Sequence, residues 1–113
     1  MLLLYTMYGQ RMQTLDIPLP SDHSQLALPA LIERTIAEAG LLAERHALRS
    51  YPGATHWHIR RLGTNGTLEL TYWPTQSRLW FAIHANRRAE WIAPVRDDLM
   101  ARIMQVFRST TRL

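Results

Sequence analysis

The chain has 113 residues, enough for one hydrophobic core rather than two. It holds no cysteine, which excludes disulfides, thiolate chemistry and cysteine-based metal centres, and its 47% hydrophobic content is that of an ordinary globular chain. The net charge is +4 and every basic residue is an arginine; residues 1–44 hold two Arg against five carboxylates, a balance of −3, and residues 45–113 hold eleven against four, a balance of +7.

The first eight residues, Met1 to Tyr8, are apolar but too few to span a bilayer. They lack the basic flank and small-residue cleavage site of a secretory signal. They read as an edge strand or an extension, with Met7 and Met12 as alternative starts. Asp16 to Pro20 is extended, because each Pro disfavours helix in the residue before it. Residues 1–20 are therefore expected to be an extended or flexible segment, and residues 21–113 the domain.

Ser21 or Asp22 can cap a helix. Leu28, Leu31, Ile32, Thr35, Ile36 and Ala39 recur on one helical face, Pro29 fits only a first turn, and Gly40 suits the position after a helix end. The spacing predicts a helix over 28–39. Residues 41–51 follow as helix or strand, with strand favoured because Gly40 has ended the helix. Pairing across the Pro52-Gly53 turn sets Leu48 opposite Trp57 on the inner face, and Arg49 opposite His56 with Arg45 near Arg60 on the outer one. It points His46 inward beside Ile59.

His56 to Ala85 carries three alternating apolar and polar runs separated by Gly63-Thr64-Asn65-Gly66 and Pro74-Thr75-Gln76-Ser77. Such a pattern predicts an antiparallel meander. Its expected buried face is Trp57, Ile59, Leu68, Leu70, Tyr72, Leu79, Phe81 and Ile83. The outer face is expected in four rows: His56–Trp73–Arg78, His58–Thr71–Trp80, Arg60–Glu69–Ala82 and Leu62–Thr67–His84. Arg60 then pairs with Glu69, and Arg78 lies over Trp73. Beyond a polar turn at 85–90, Pro94 opens a second helix with an apolar stripe of Val95, Leu99, Ile103, Val106 and Phe107. The fold class is two-layer α+β: an antiparallel meander of three or four strands, with an N-terminal and a C-terminal helix packed on one face.

The chemistry-bearing motifs are few. His56-x-His58 has zinc-ligand spacing, but Glu69 is taken by Arg60 in the expected register and His84 lies two strands away. The histidines therefore read as surface residues, with no metal and no cofactor expected. Ser21, Ser24, Ser50, Ser77 and Ser109 lie outside any Gly-x-Ser-x-Gly elbow, and no glycine-rich phosphate loop follows a strand. The expectation is a non-catalytic, cytoplasmic binding domain with no membrane partner. Trp73 and Trp80 would stack bases of single-stranded nucleic acid, with Arg60, Arg78, Arg87 and Arg88 on phosphates and His56 and His58 beside them. Tryptophan and arginine also dominate protein interfaces, so a protein partner or a homodimer on the same face is the equal alternative. A small enzyme or metal site on His58, Glu69 and His84 is the minor one. A solvated basic surface is the plain reading of the arginines.

Overall fold

Alternation in the middle of the chain builds the centre of a five-stranded, wholly antiparallel sheet. The computed structural model describes residues 12–110. Its elements are β1 (Met12–Asp16), α1 (Leu28–Glu38), β2 (Leu42–His46), β3 (Thr55–Arg60), β4 (Leu68–Trp73), β5 (Arg78–His84) and α2 (Ile92–Thr110). The order across the sheet is β1-β5-β4-β3-β2. The meander β2 to β5 is thus closed at its far side by β1, and α1 carries the chain from one edge strand to the other.

The expected inner face is borne out. Trp57, Ile59, Leu68, Leu70, Tyr72, Leu79, Phe81 and Ile83 are all buried, in one cluster with Leu28, Ile32 and Ile36 of α1 and Leu99, Ile103 and Phe107 of α2. Each helix buries one stripe on this face, because the sheet offers no other apolar one. α1 spans Leu28–Glu38 almost as its spacing predicts, with Pro29 in its first turn. Gly40 follows at φ 78, where a side chain would be strained. No side-chain cap forms: Ala27 is the N-cap of α1, and Asp22 instead precedes a short 3-10 turn over His23–Gln25. α2 starts at Ile92, two residues before Pro94.

Four expectations are corrected. The sheet has five strands rather than three or four, because Met12–Asp16 pairs with β5, from Met12 opposite His84 to Asp16 opposite Trp80. Ile17 is buried and Leu15 and Leu19 pack on the core, so this part of the segment read as extended or flexible is built into the domain. The readings of Met1 to Tyr8 lie outside the described residues. The helix expected at the N-terminal end accordingly follows the first strand.

The β3–β4 register is the second correction. His58 faces Glu69, Ile59 faces Leu68 and Trp57 faces Leu70, two residues from the expected pairing. The connection is longer than the Gly63–Gly66 turn. Thr64 folds back on Arg61 O through its backbone N–H (3.2 Å) and its Oγ1 (2.8 Å). Thr67 N–H then donates to Arg87 O at 3.0 Å rather than to β3. Trp91 Nε1 donates to Asn65 O at 2.7 Å, tying the same loop to the start of α2. The β4–β5 register is as expected, from Glu69 opposite Ala82 to Trp73 opposite Arg78.

The third correction is β2. Residues 42–46 are a strand, but His46 faces His56 and Arg45 faces Trp57. That is three residues from the expected pairing, an odd number, so the faces exchange. His46 turns outward, and Arg45 reaches α1 to pair with Glu33, with Nη2 3.1 Å from Oε1 and Nε on Oε2. Glu33 Oε2 also accepts from Trp57 Nε1 at 2.8 Å, so one carboxylate ties α1 to β2 and β3. The fourth correction is the pairing of Arg60 with Glu69, which the new register removes.

Gly66 sits at φ +97, and a Cβ there would meet Ala89 Cβ at 2.8 Å and Ile92 Cδ1 at 2.9 Å, whereas Gly63 (φ +79) has open space. Gly66→Ala should cost about 2–5 kcal/mol in urea denaturation and Gly63→Ala about 1–2 kcal/mol, strain alone. The hydrogen bond from Arg45 holds the Glu33 carboxyl below the usual range, against partial burial and with help from Trp57. A depressed carboxyl stabilises fully above its unfolded value, about 4.3, and that contribution disappears as pH falls through the folded value. Glu33→Gln should therefore cost about 1 kcal/mol near neutrality, scaled down for solvent screening, and flatten the acid limb of a stability–pH curve.

Candidate functional site: a histidine-ringed carboxylate on the outer sheet face

Glu69 stands on the central strand β4, and its side chain points away from the helices. It is nevertheless only 8% exposed. An ionised carboxylate so placed needs compensating charge or hydrogen bonds. His56 Nε2 lies 3.0 Å from Oε1. His84 Nε2 lies 3.0 Å from Oε2, and Arg87 Nη1 lies 3.8 Å from the same oxygen. His58 is the direct cross-strand neighbour. Burial pushes the Glu69 pKa up, but the His56 hydrogen bond and the charges of His84, His56 and His58 together bring it below the ordinary value.

The surrounding groups are themselves held. His56 is 4% exposed and shares a 2.7 Å hydrogen bond between Nδ1 and Thr71 Oγ1. His58 is stacked on His46, ring centroids 4.0 Å apart and planes 27° from parallel, and His56 meets it edge-on at 5.2 Å. Desolvation first, then the positive charge of His46, lowers the His58 pKa; Glu69 opposes this, and His56 and Arg87 add to it. His46 Nε2 lies 2.8 Å from Glu44 Oε1 at an angle that makes no hydrogen bond, and the atom is shielded from solvent.

Beside this cluster an open cleft of about 550 Å³ is lined by His46, His58, Arg60, Thr64, Asn65, Gly66, Thr67, Asn86 and Arg87. Among the described residues no carboxylate lines it, whereas two arginines, two histidines and several amide and hydroxyl groups do. Such a lining suits an anion with several oxygens.

The residues singled out from the sequence are thus distributed over three places. His56, His58, Arg60 and Arg87 gather with Glu69 and His84 at the cleft end. Trp73 is half-buried at the opposite end, four residues along β4 from Glu69, about 13 Å by strand rise. Its Nε1 donates to Pro52 O at 3.0 Å, and Tyr51 tilts against it with centroids 4.8 Å apart. Trp80 is 5% exposed. The Arg78 guanidinium lies 4.1 Å from its ring centroid and Tyr51 meets it edge-on at 5.5 Å. Arg78 covers Trp80 rather than Trp73, because Asp16 of β1 holds Nη2 at 3.2 Å. Arg88 is exposed on a separate shallow surface with Gln13 and Ile83, away from the cleft.

A second polar cluster was invisible in the sequence. Buried His23 joins Tyr72 OH through Nδ1 (2.7 Å) and Ser77 Oγ through Nε2 (3.2 Å). Ser77 has φ 50 in the β4–β5 turn. The order serine, histidine, hydroxyl resembles a nucleophilic relay in outline only: a neutral phenol does not stabilise an imidazolium as a carboxylate does, and Ser77 N–H is spent on Pro74 O. The cluster pins the 23–25 turn to the sheet.

Among the described residues no helix is long and apolar enough to cross a membrane. No protein-family model, no curated protein and no solved structure matches the chain.

The pin generates a stability prediction. Tyr72→Phe strips a buried histidine nitrogen of its partner and should cost about 1–3 kcal/mol by chemical denaturation. Ser77→Ala, at an exposed hydroxyl, should cost less than about 1 kcal/mol.

Proposed function

We propose that the protein is a non-catalytic cytoplasmic binding domain that takes single-stranded nucleic acid on the outer face of its sheet. The observation that supports this most is the cleft whose lining holds Arg60, Arg87, His46 and His58 and, among the described residues, no carboxylate. A phosphodiester seated there finds two guanidiniums and the amides of Asn65 and Asn86. Trp73, half-buried against Tyr51, offers the aromatic surface for a base further along the strand. Trp80 is left out of the stacking role because Arg78 and Tyr51 already occupy its faces. The surplus of positive charge over residues 45–113 adds long-range attraction for the same partner. A protein partner or second copy remains the alternative occupant, but the two exposed indoles that favoured it reduce to Trp73.

The test is fluorescence anisotropy of a labelled mixed-sequence single-stranded oligonucleotide over a salt series. Affinity should fall linearly on a log–log plot, and Arg60→Ala/Arg87→Ala should reduce the slope by about 1.4, two phosphate contacts at about 0.7 each. Trp73→Ala should weaken binding by about 1–3 kcal/mol with the slope unchanged. Salt-independent binding, or a slope untouched by the double substitution, would remove the reading. Concentration-dependent molar mass without oligonucleotide would favour self-association.

A further inference from the structure

We propose that His56, His58 and Glu69 form a binding site for a divalent transition metal of the zinc class, with its fourth coordination position open to the adjacent cleft. This goes beyond the nucleic-acid reading and does not rest on it.

One ligand atom from each of the three residues lies within 4.8 Å of the other two. Metal–ligand distances near 2 Å place such atoms about 3.3 Å apart, so small side-chain rotations close the site. His56 and His58 alternate on one strand and therefore share a face, and Glu69 is the cross-strand partner of His58. Two imidazoles and one carboxylate with a free position is the donor set of a water-carrying zinc site rather than a sealed structural one. The same chemistry disfavours Mg2+ and Ca2+, which prefer all-oxygen sites.

What raises this above a chance cluster is that each ligand is already oriented by a partner of its own. Thr71 holds His56 through Nδ1 at 2.7 Å, which aims Nε2 at Glu69. His84 and Arg87 hold Glu69 by Oε2, which leaves Oε1 for a metal. His46 backs His58 face to face. Supporting contacts of this kind accompany metal-ligating histidines and carboxylates generally. His58, Arg87 and His46 also line the cleft. A metal held here presents its open position to that cleft, where water or one oxygen of an anion guided by Arg60 and Arg87 completes the coordination.

The experiment uses the full chain after chelator treatment, without oligonucleotide, titrated with Zn2+ by calorimetry and with Co2+ by visible absorption near neutral pH. One equivalent of Zn2+ should bind with micromolar or tighter affinity, and Co2+ should develop the intense visible band of a low-coordinate site. His58→Ala, at a partly exposed position that should not disturb folding, should weaken Zn2+ by more than the ~10–100-fold typical of a supporting residue. Thr71→Val should fall within that range, and Arg102→Ala, on α2 where it pairs with Asp98 on the other side of the sheet, should leave Zn2+ affinity unchanged. Glu69→Gln should abolish binding, with circular dichroism verifying the fold. The proposal is overturned by absence of saturable one-equivalent binding, by a His58→Ala variant that binds as well as the parent, or by loss on His46→Ala with none on His58→Ala. Because no nucleic acid is present, none of these outcomes bears on the phosphate-binding reading.

Discussion

A carboxylate in the middle of a β-sheet, shielded from water, is the constraint to which the outer face answers. Taking an ionised group out of water costs several kcal/mol unless neighbours compensate. Glu69 meets that demand with imidazoles on both flanking strands and a guanidinium from the 85–87 turn. Each compensating group requires its own support, so the demand spreads: Thr71 fixes His56, and His46 stacks on His58. The outer face is thereby an organised polar layer opposite the apolar one. Replacing Glu69 with an apolar residue would remove the reason for these six neighbouring side chains to sit where they do.

The two faces are coupled through the loops. The 61–67 connection leaves β3 early, crosses to the start of α2 and returns through Gly66, which is wedged against Ala89 and Ile92. That crossing sets the β3–β4 register and so places His58, rather than Arg60, beside Glu69. Core packing at the start of α2 thus determines the chemistry on the far side of the sheet. β1 acts similarly on the other edge: by pairing with β5 it brings Asp16 to Arg78, and Arg78 then lies over Trp80.

The inner face was legible because burial selects one parity of each strand, and every residue assigned inward on β3, β4 and β5 is buried. Parity is also where legibility ends. A register shifted by two keeps the same faces, so hydrophobic alternation accepts Arg60 opposite Glu69 as readily as His58 opposite Glu69. The observed register goes with the contacts of the 61–67 connection, Thr64 on Arg61, Thr67 on Arg87 and Asn65 with Trp91, two of which join segments far apart in sequence. β2 lacked even parity, since Leu-Ala-Glu-Arg-His has no alternation and its inward Arg45 is satisfied by Glu33 on α1. The Met-Gln-Thr-Leu-Asp of β1 is likewise unpatterned and becomes a strand because β5 offers it an edge. Outward parity is not exposure either: Trp80 faces outward, yet a loop tyrosine and a neighbouring arginine cover it.

The two readings of the outer face, a phosphate in the cleft and a metal on the histidines, are chemically complementary. The cleft is lined by two arginines, two histidines and neutral polar groups and, among the described residues, no carboxylate, and the cluster beside it holds a buried anion with nitrogen donors around it. A divalent cation at Glu69 adds two positive charges beside Arg60 and Arg87 and strengthens attraction for an anion there. By thermodynamic reciprocity a bound anion strengthens the metal by the same factor. Arg87 joins the two, since it borders the cleft and contacts Glu69 Oε2. A metal that neutralised Glu69 would weaken the 3.8 Å pairing of Arg87 with Oε2. The sheet therefore brings nitrogen and carboxylate donors and a cationic cleft to one place, and with both proposed sites in use, occupancy of either would favour occupancy of the other.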